Sequence, residues 1–204
     1  MKVALLGATG NAGSRILDEL LARGHQVSTI MRRPARLASR VSRQLTLLEG
    51  DASDGASLAV LLRGHDAALS AIKFHQVPAA TLIQAVAEAG VPRYLVVGGA
   101  GSLQAWPGML EMDRPDFPPK VVPEARLGAD FLRQLRASDL DWSFLSPSRL
   151  FVPGLRSGRF RLGGEQLLFN AEGTSAISFE DYAMALVDEL EHPAHSRQRF
   201  TVGY

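Results

Sequence analysis

The chain begins with an apolar run, Val3–Leu6, that leads directly into three glycines at intervals of three residues, Gly7, Gly10 and Gly13. A continuous apolar run is typical of a strand buried on both faces, and the apolar positions of Asn11–Arg23 fall on one helical face. Glycines at such a strand-to-helix turn permit a sharp turn, close approach of a pyrophosphate and tight packing of the helix on the strand. The N–H groups at the helix N-terminus then face the phosphates. The stretch predicts a dinucleotide-binding turn, with a tight turn that binds nothing as the alternative. The residues assigned to it are Gly7, Ala8, Thr9, Gly10, Asn11, Ala12 and Gly13.

Strands and helices continue to alternate after this turn. Apolar periodicity predicts helices capped by Ser53 or Asp54, over Ala79–Ala89 and from about Pro123 to Ala137. The predicted strands are Gln26–Met31, Leu45–Leu48, Ala67–Ile72, Tyr94–Val97 and Trp142–Leu145. Such alternation favours a parallel sheet with right-handed crossovers. We therefore predict an α/β protein with a Rossmann-type doubly wound parallel sheet.

Two regions lack this rhythm. Gly98–Val122 shows no convincing periodicity, which predicts a long functional or mobile loop. In Gly158–Ser178, glycines and short alternating runs predict hairpins. Ser178 and Asp181 have the spacing of a capping box for a last helix to about Leu190, and Phe200–Val202 is a candidate closing strand. We predict one domain, residues 1–204, in which about 150–178 and 200–204 form a small C-terminal lobe.

Composition excludes several kinds of protein. The chain of 204 residues has no cysteine, which excludes disulfides, thiolate catalysis and cysteine-ligated metals. Its net charge of +1 gives no basic field that would recruit nucleic acid. Its uncharged stretches are interrupted by glycine and proline, so none is a membrane span, and no spaced His, Asp and Glu cluster indicates a metal site. We expect a cytoplasmic protein with a small-molecule partner; the sequence leaves its oligomeric state open, a homodimer included.

The second predicted strand bears on cofactor choice. Sites that prefer NAD place an acidic residue near its end, where it holds the ribose 2′-OH. This chain has no carboxylate between Glu19 and Glu49, and Met31 is followed by Arg32 and Arg33. Guanidinium groups suit a 2′-phosphate. We therefore predict NADP in preference to NAD, with a solvated basic loop as the alternative.

Residues after the third and fourth strands complete the predicted cofactor site. Asp51 and Ala52 are placed to border the adenine, although Asp51 has a turn or cap role beside Ser53 as an alternative. Ser70 and Ala71 end the fourth strand, at the carboxyl edge where ligands bind in such sheets.

Several motifs together resemble the atypical short-chain dehydrogenase/reductases. They are GATGNAG, the arginine after the second strand, GDASD, VVGGAGSL, and the tail segments SPSRLFVPGLRSGRFRLGG and RFTVGY. The resemblance covers nearly the whole chain and is closest to the NADH-flavin reductase-like group, beside the biliverdin IXβ/flavin reductases and the NmrA-like proteins. It implies hydride transfer from NAD(P)H to a flavin, such as FMN or riboflavin, or to a similar conjugated small molecule.

One departure from the family pattern bears on mechanism. Family members that act on carbonyls or alcohols use Tyr-x-x-x-Lys, in which the tyrosine donates a proton. None of Tyr94, Tyr182 and Tyr204 has a lysine four residues on, and the helix where that pair would sit reads PEARLGADFLR. A flavin relaxes the need for an acid because the anion left by hydride transfer is delocalised. The protein then has chiefly to hold the nicotinamide and the acceptor face to face.

The resemblance also implies residues for the nicotinamide and the acceptor. Related flavin reductases carry a serine just after the fifth strand, where this chain has Gly98 and Gly99; the nearest hydroxyl, Ser102, is the catalytic candidate, with loop capping as its alternative. Cofactor contacts are also expected from Lys73, Gly98, Gly99, Pro147 and Ser148. Acceptor contacts are expected from Phe74, His75, Trp106 and Phe151, with a surface loop position as the alternative for His75. Trp106 and Met109 are candidates for a lid or for simple packing.

Two other functions are weighed against the reductase. A non-catalytic NmrA-type sensor would use the same fold to read the redox state of NADP and to bind a protein. A sugar-nucleotide epimerase or dehydratase is disfavoured by the missing Tyr-x-x-x-Lys pair and the small tail.

Overall fold

A computed structural model of the chain describes residues 1–40 and 42–204. The α-helices within these ranges are α1 (Asn11–Ala22), α2 (Gly55–Leu62), α3 (Ala79–Ala89), α4 (Val122–Arg136) and α5 (Phe179–Glu191). The strands are β1 (Lys2–Leu6), β2 (Gln26–Met31), β3 (Leu45–Glu49), β4 (Ala67–Ser70), β5 (Arg93–Val97), β6 (Gln104–Trp106), β7 (Met109–Leu110), β8 (Trp142–Pro147), β9 (Leu150–Val152), β10 (Arg161–Gly163), β11 (Ala176–Ser178) and β12 (Gln198–Gly203).

The main sheet has the strand order β10-β12-β8-β5-β4-β1-β2-β3. Every neighbouring pair is parallel except β10 and β12. From β1 the chain adds β2 and β3 on one side. It then returns to the other side of β1, where it adds β4, β5, β8 and β12 in turn. This reversal lies between β1 and β4, whose carboxyl ends therefore open a crevice for ligands. The predicted Rossmann-type doubly wound sheet is confirmed.

Both faces of the sheet are covered by helices, which explains the continuous apolar runs of the strands. Val3 and Leu5 of β1 belong to the core beneath α1 and α5, whereas Ala4 and Leu6 belong to the core beneath α2, α3 and α4. Alternate residues of one strand thus enter opposite cores. Because β1 is packed on both faces and paired with β2 and β4, its position fixes that of Gly7 at the crevice.

The tail differs from its prediction. The prediction of hairpins within Gly158–Ser178 is wrong, because neither strand of this segment pairs with the other. Strand β10 pairs antiparallel with β12, with Arg161 opposite Gly203, and β11 pairs parallel with β9. These partners are remote in sequence, which a local pattern cannot reveal. Residues 200–204 also do not stand apart in a lobe, since β12 is a parallel strand of the main sheet beside β8.

Three smaller differences concern boundaries. The predicted strand Ala67–Ile72 ends at Ser70, and the helix cap after β3 is Asp54, whose carboxylate accepts the N–H of Ser57 at 3.1 Å. The predicted loop Gly98–Val122 contains a short antiparallel hairpin, β6–β7, and two 3₁₀ turns. The predicted cap of α5 is present, because the Ser178 hydroxyl accepts the N–H of Asp181 at 2.9 Å.

Candidate functional site

Two of the three glycines of the turn have no room for a side chain. Gly7 has a φ of +84°, and a Cβ there would lie 2.6 Å from the Ala71 carbonyl oxygen, across the crevice between β1 and β4. A Cβ on Gly13 would lie 2.0 Å from the Gly7 carbonyl oxygen, so this glycine brings α1 against the turn. Gly10 is exposed, with a φ of −77°, and its N–H donates to the Gly7 carbonyl at 3.0 Å. Gly7 and Gly13 therefore have the turn and packing roles that their spacing predicts, whereas the phosphate role of Gly10 stays a prediction.

The N-terminus of α1 is left open. Its N-cap is Gly10, no side chain caps the first turn, and that turn contains no acidic residue. Asn11 is exposed and Ala12 half-buried, so the first N–H groups are not covered by packing. Unpaired N–H groups and the partial positive charge of a helix N-terminus together suit an anion such as a diphosphate.

A cleft of about 720 Å³ opens beside this turn. That volume lies within the range of small-molecule sites. Predicted cofactor residues lining it are Gly7, Thr9, Arg32, Arg33, Asp51 and Ala52. The structure therefore brings the ends of β1, β2 and β3 to one cleft, as adjacent parallel strands require.

Three exposed arginines face this cleft: Arg32, Arg33 and Arg36. Arg36 belongs to a 3₁₀ turn, Pro34–Leu37, that directly follows β2. Among residues 1–40 and 42–204, none of the three forms an ion pair with a carboxylate. In this part of the chain the three guanidinium groups are thus not held by an ion pair, which favours a dianionic group over a ribose hydroxyl.

Asp51 has both of the predicted features. It lines the cleft, and its Oδ1 accepts the N–H of Ser53 at 3.0 Å and the Ser53 hydroxyl at 2.8 Å. These hydrogen bonds hold the pKa of Asp51 below its usual range, and the charge of Arg32 adds to the effect. Asp51 is therefore ionised at neutral pH and held by its own turn.

The other predicted cofactor residues lie around the crevice rather than on the cleft wall. Ala8 and Ser70 are buried, and Ala71 is the residue against which Gly7 packs. Lys73 is exposed on the segment after β4. For each of these residues, cofactor contact stays a prediction.

The carboxyl ends of β5 and β8 hold four more of the predicted residues. A Cβ on Gly98 would lie 2.4 Å from the Phe144 ring, and one on Gly99 would lie 3.6 Å from the Phe74 ring. Pro147 ends β8 and is buried. The buried Ser148 hydroxyl donates to the Val202 carbonyl at 2.9 Å, which fixes the turn after β8.

Ser102, the predicted catalytic hydroxyl, is half-buried in the segment after β5. Its oxygen accepts a hydrogen bond from Arg199 Nη1 at 2.9 Å. Arg199 is itself buried and paired with Glu165. This contact ties the segment to β12, so Ser102 has the loop-holding role, and a proton-relay role stays a prediction.

Phe74 and His75 follow β4 and face α4. The Phe74 ring stacks on Phe144 at 6.1 Å between centroids and lies against Phe131 at 5.7 Å. His75 is exposed, and its Nδ1 lies 2.6 Å from Glu124 Oε2. His75 is thus paired with a carboxylate, which single-sequence reasoning could not detect because the two are far apart in the chain.

Trp106, a predicted acceptor contact, lies on a hairpin that is bonded to the tail. The Trp106 ring is half exposed on the β6–β7 hairpin, with the Arg114 guanidinium 5.4 Å from its centroid. Gln104 anchors this hairpin, because its N–H donates to the Glu165 carbonyl at 2.9 Å and its carbonyl accepts from Leu167 at 3.0 Å. The hairpin is therefore bonded to the tail.

Phe151 of β9 lies within an aromatic cluster. Its centroid is 4.5 Å from that of Phe179 and 4.6 Å from that of Tyr182. Phe151 is half-buried, so its ring contributes mainly to this packing; acceptor contact stays a prediction.

The tyrosines are engaged elsewhere. Tyr94 and Tyr182 are fully buried, and burial raises the pKa of both hydroxyls. The Tyr182 hydroxyl donates to the Leu145 carbonyl at 2.6 Å. The Tyr204 hydroxyl donates to Asp181 Oδ2 at 2.9 Å. Each hydroxyl is buried or held in a structural hydrogen bond.

Sequence reasoning missed several lining residues. Ile30, Met31, Gly50, Ser53, Ile72, Gln76 and Val77 also line the cleft, together with Arg36. Arg36 was visible only as one member of a basic stretch. Gln76 and Val77 carry no local signal, because only the path of the chain after β4 brings them to the cleft.

The described residues contain neither a metal-binding cluster nor a membrane-spanning helix. Over residues 1–40 and 42–204, no group of three or more His, Cys, Asp and Glu side chains could hold a metal ion. Within the same ranges, the helices include none that is long and apolar enough to cross a membrane.

Comparison with known proteins places this geometry in a family. The family model described as NAD(P)H-binding matches residues 7–193. The uncharacterized protein YwnB of Bacillus subtilis (strain 168) is 40% identical over 213 residues, covering 99% of this chain and 98% of that protein. A proposed epimerase from Bacteroides thetaiotaomicron is 39% identical, with a TM-score of 0.95 and coverage of 100% of this chain and 96% of that one. A proposed NADH-flavin reductase from Streptococcus pneumoniae is 35% identical, with a TM-score of 0.85 and coverage of 100% and 99%. The predicted resemblance to the atypical short-chain dehydrogenase/reductases is confirmed, and the chain belongs to the NAD(P)H-binding family.

Proposed function

We propose that the chain is an NADPH-dependent oxidoreductase whose acceptor is a flavin, such as FMN or riboflavin, or another conjugated small molecule. The observation that carries the proposal is a single cleft that combines a glycine turn with Arg32, Arg33 and Arg36, which form no ion pair with any residue of 1–40 and 42–204. The name of the Streptococcus pneumoniae relative adds support for a flavin acceptor. That name specifies NADH, whereas the arginines of this chain favour NADPH.

The residues fit a dinucleotide with a 2′-phosphate. The turn Gly7–Gly13 and the open N-terminus of α1 would hold the diphosphate, because no side chain caps the first N–H groups of α1 and Gly10 is exposed beside them. Arg32, Arg33 and Arg36 would hold the 2′-phosphate. Asp51 and Ala52 would border the adenine. When bound, the reduced nicotinamide supplies a hydride to the acceptor.

The burial and hydrogen bonding of the tyrosine hydroxyls support the proposal that the acceptor needs little acid catalysis. Reduction requires one hydride and one proton, and Tyr182, with its buried hydroxyl bonded to Leu145, cannot deliver that proton. Solvent water supplies it instead. A delocalised acceptor anion tolerates this arrangement, so positioning provides most of the rate.

Two other functions compete with this one. The name of the Bacteroides thetaiotaomicron relative favours an epimerase, but this chain lacks the Tyr-x-x-x-Lys pair. An NmrA-type sensor would bind NADPH without turnover.

The cytoplasmic location and the homodimer both stay predictions.

The test is NADPH oxidation, followed by loss of its absorbance, with and without FMN or riboflavin. We expect oxidation that depends on the added flavin and is faster with NADPH than with NADH. Tight NADPH binding without flavin-dependent oxidation would contradict the flavin acceptor and favour the sensor. Faster oxidation of NADH would contradict the proposed role of the arginines.

A further inference from the structure

The segment between β4 and α3 forms one wall of the cofactor cleft. Ile72, Gln76 and Val77 of this segment line the cleft. Within the segment, the N–H of Gln76 donates to the Lys73 carbonyl at 3.0 Å. One internal hydrogen bond is little to fix a wall of this length, so its shape depends on contacts from elsewhere.

Glu124, in the first turn of α4, supplies polar contacts at Phe74 and His75, in addition to the core packing of Ile72 and Val77. Its Oε1 accepts the N–H of Phe74 at 2.7 Å, and its Oε2 accepts the N–H of His75 at 3.2 Å. The same Oε2 lies 2.6 Å from His75 Nδ1. Two consecutive peptide N–H groups on one carboxylate fix the orientation of the peptide between them, and the charge strengthens both bonds.

The same face of α4 also holds the Phe74 side chain. Gly128 is one turn after Glu124, and a Cβ there would lie 2.7 Å from the Phe74 ring. Phe131, a further turn along, packs against that ring at 5.7 Å between centroids. Residues at i, i+4 and i+7 lie on one helical stripe, so a single face of α4 holds the segment.

We propose that Glu124 is a positioning residue for the nicotinamide cofactor: it fixes the backbone at Phe74 and His75, and thereby the cleft wall of Ile72, Gln76 and Val77. This inference rests on the proposed cofactor site. Its physical basis is preorganisation, because a wall that is already ordered costs no conformational entropy when the ligand binds. Glu124 and Gly128 have the one-turn spacing of the absent Tyr-x-x-x-Lys pair, and they hold the cleft wall instead of providing an acid.

The experiment measures the Kd of NADPH by the fluorescence of the bound cofactor, well below the melting temperature of each variant. Glu124→Ala should raise the Kd about tenfold, the scale of ordering a few residues on binding. Glu124→Gln, which keeps one acceptor oxygen, should raise it less. In steady-state oxidation, the KM for NADPH should rise while kcat changes little. Arg126→Ala is the matched control, because Arg126 is an exposed neighbour on the same helix.

Two further variants sharpen the result. Gly128→Ala should also raise the Kd, since its Cβ displaces the Phe74 ring. His75→Ala keeps both backbone bonds and should have a smaller effect than Glu124→Ala. If His75→Ala raised the Kd as much as Glu124→Ala, the positioning role could not be assigned to the backbone hydrogen bonds of Glu124.

The outcomes separate this inference from the proposed function. An unchanged Kd in Glu124→Ala, with or without a lower melting temperature, would overturn the positioning role while wild-type binding of NADPH upholds the cofactor site. Failure of the wild-type protein to bind NADPH would instead overturn the proposed function, and this inference with it.

Discussion

Replacement of Arg32 and Arg33 by alanine tests cofactor choice directly. Both side chains are exposed, line the cleft and have no carboxylate partner among residues 1–40 and 42–204. Their removal therefore breaks no ion pair of the folded protein. The free energy of unfolding should change by less than about 0.5 kcal/mol, as is usual for such surface positions.

The magnitude follows from the interactions that the cofactor would lose. A hydrogen bond to a charged group contributes about 1.5–3 kcal/mol, and exposed charges are partly screened, so the lower end applies here. About 1.5 kcal/mol for each arginine corresponds to roughly tenfold in Kd, and to about 100-fold for the double variant. NADH has no 2′-phosphate, so its Kd should change by less than about twofold on the same reasoning.

The assay is a titration of each protein with NADPH and with NADH at a fixed salt concentration. Arg63→Ala provides the control: Arg63 is an exposed arginine after α2, in the connection that leads into the amino end of β4, and it does not line the cleft. This substitution removes one positive charge and should leave both affinities unchanged. Equal losses of NADPH and NADH affinity in the double variant would refute the reasoning and show that the arginines only shape the loop.

The remaining predictions concern the turn, the acid and stability. Gly10→Val should abolish NADPH binding in a folded protein, because the φ of −77° accepts a side chain that would then fill the phosphate space; retained affinity would place the phosphates elsewhere. In single-turnover oxidation with FMN, Tyr182→Phe and Tyr204→Phe should each lose less than about tenfold, well short of the 10²–10⁴-fold typical of a general acid. A hundredfold loss in a folded tyrosine variant that still binds NADPH would contradict acid-free transfer, and one confined to Ser102→Ala would identify that hydroxyl as the proton relay. Hydrogen bonds from Arg156 and Arg23 hold the pKa of the buried Glu19 carboxyl below its ordinary 4.5, so its stabilising effect is present above that pH and is lost as the pH falls through the folded-state pKa. Glu19→Gln should therefore cost about 1–3 kcal/mol of unfolding free energy at neutral pH and less in acid, as measured by urea unfolding; a cost independent of pH would contradict this sign.

Local patterns were sufficient for the parallel strands of the main sheet. Val3–Leu6 is read correctly because a strand covered on both faces is typically apolar throughout, and Gln26–Met31 is also found where it was predicted. The prediction was wrong in Gly158–Ser178, where β10 finds its partner in β12 and β11 in β9. Strand pairing between remote segments depends on the path of the whole chain, which short alternating runs do not encode.

The cofactor side of the site was more predictable than the acceptor side. Glycine spacing and the arginines after β2 act through the backbone and through charge, both of which are visible in the sequence. His75 illustrates the opposite case. It looks isolated in the sequence. In the structure, the carboxylate of Glu124, on α4, accepts the backbone N–H of His75 and lies beside its ring Nδ1.

The sequence by itself determined the fold class, the glycine turn between β1 and α1 and the family, because these depend on periodicity and on residues adjacent in the chain. Only the tertiary structure decided which side chains share the cleft, that Arg36 joins Arg32 and Arg33, and that α4 holds the wall after β4. It also decided that the hydroxyls of Tyr94 and Tyr182 are withdrawn from solvent. Burial and hydrogen-bond partners arise when distant segments pack together, and no local pattern specifies that packing.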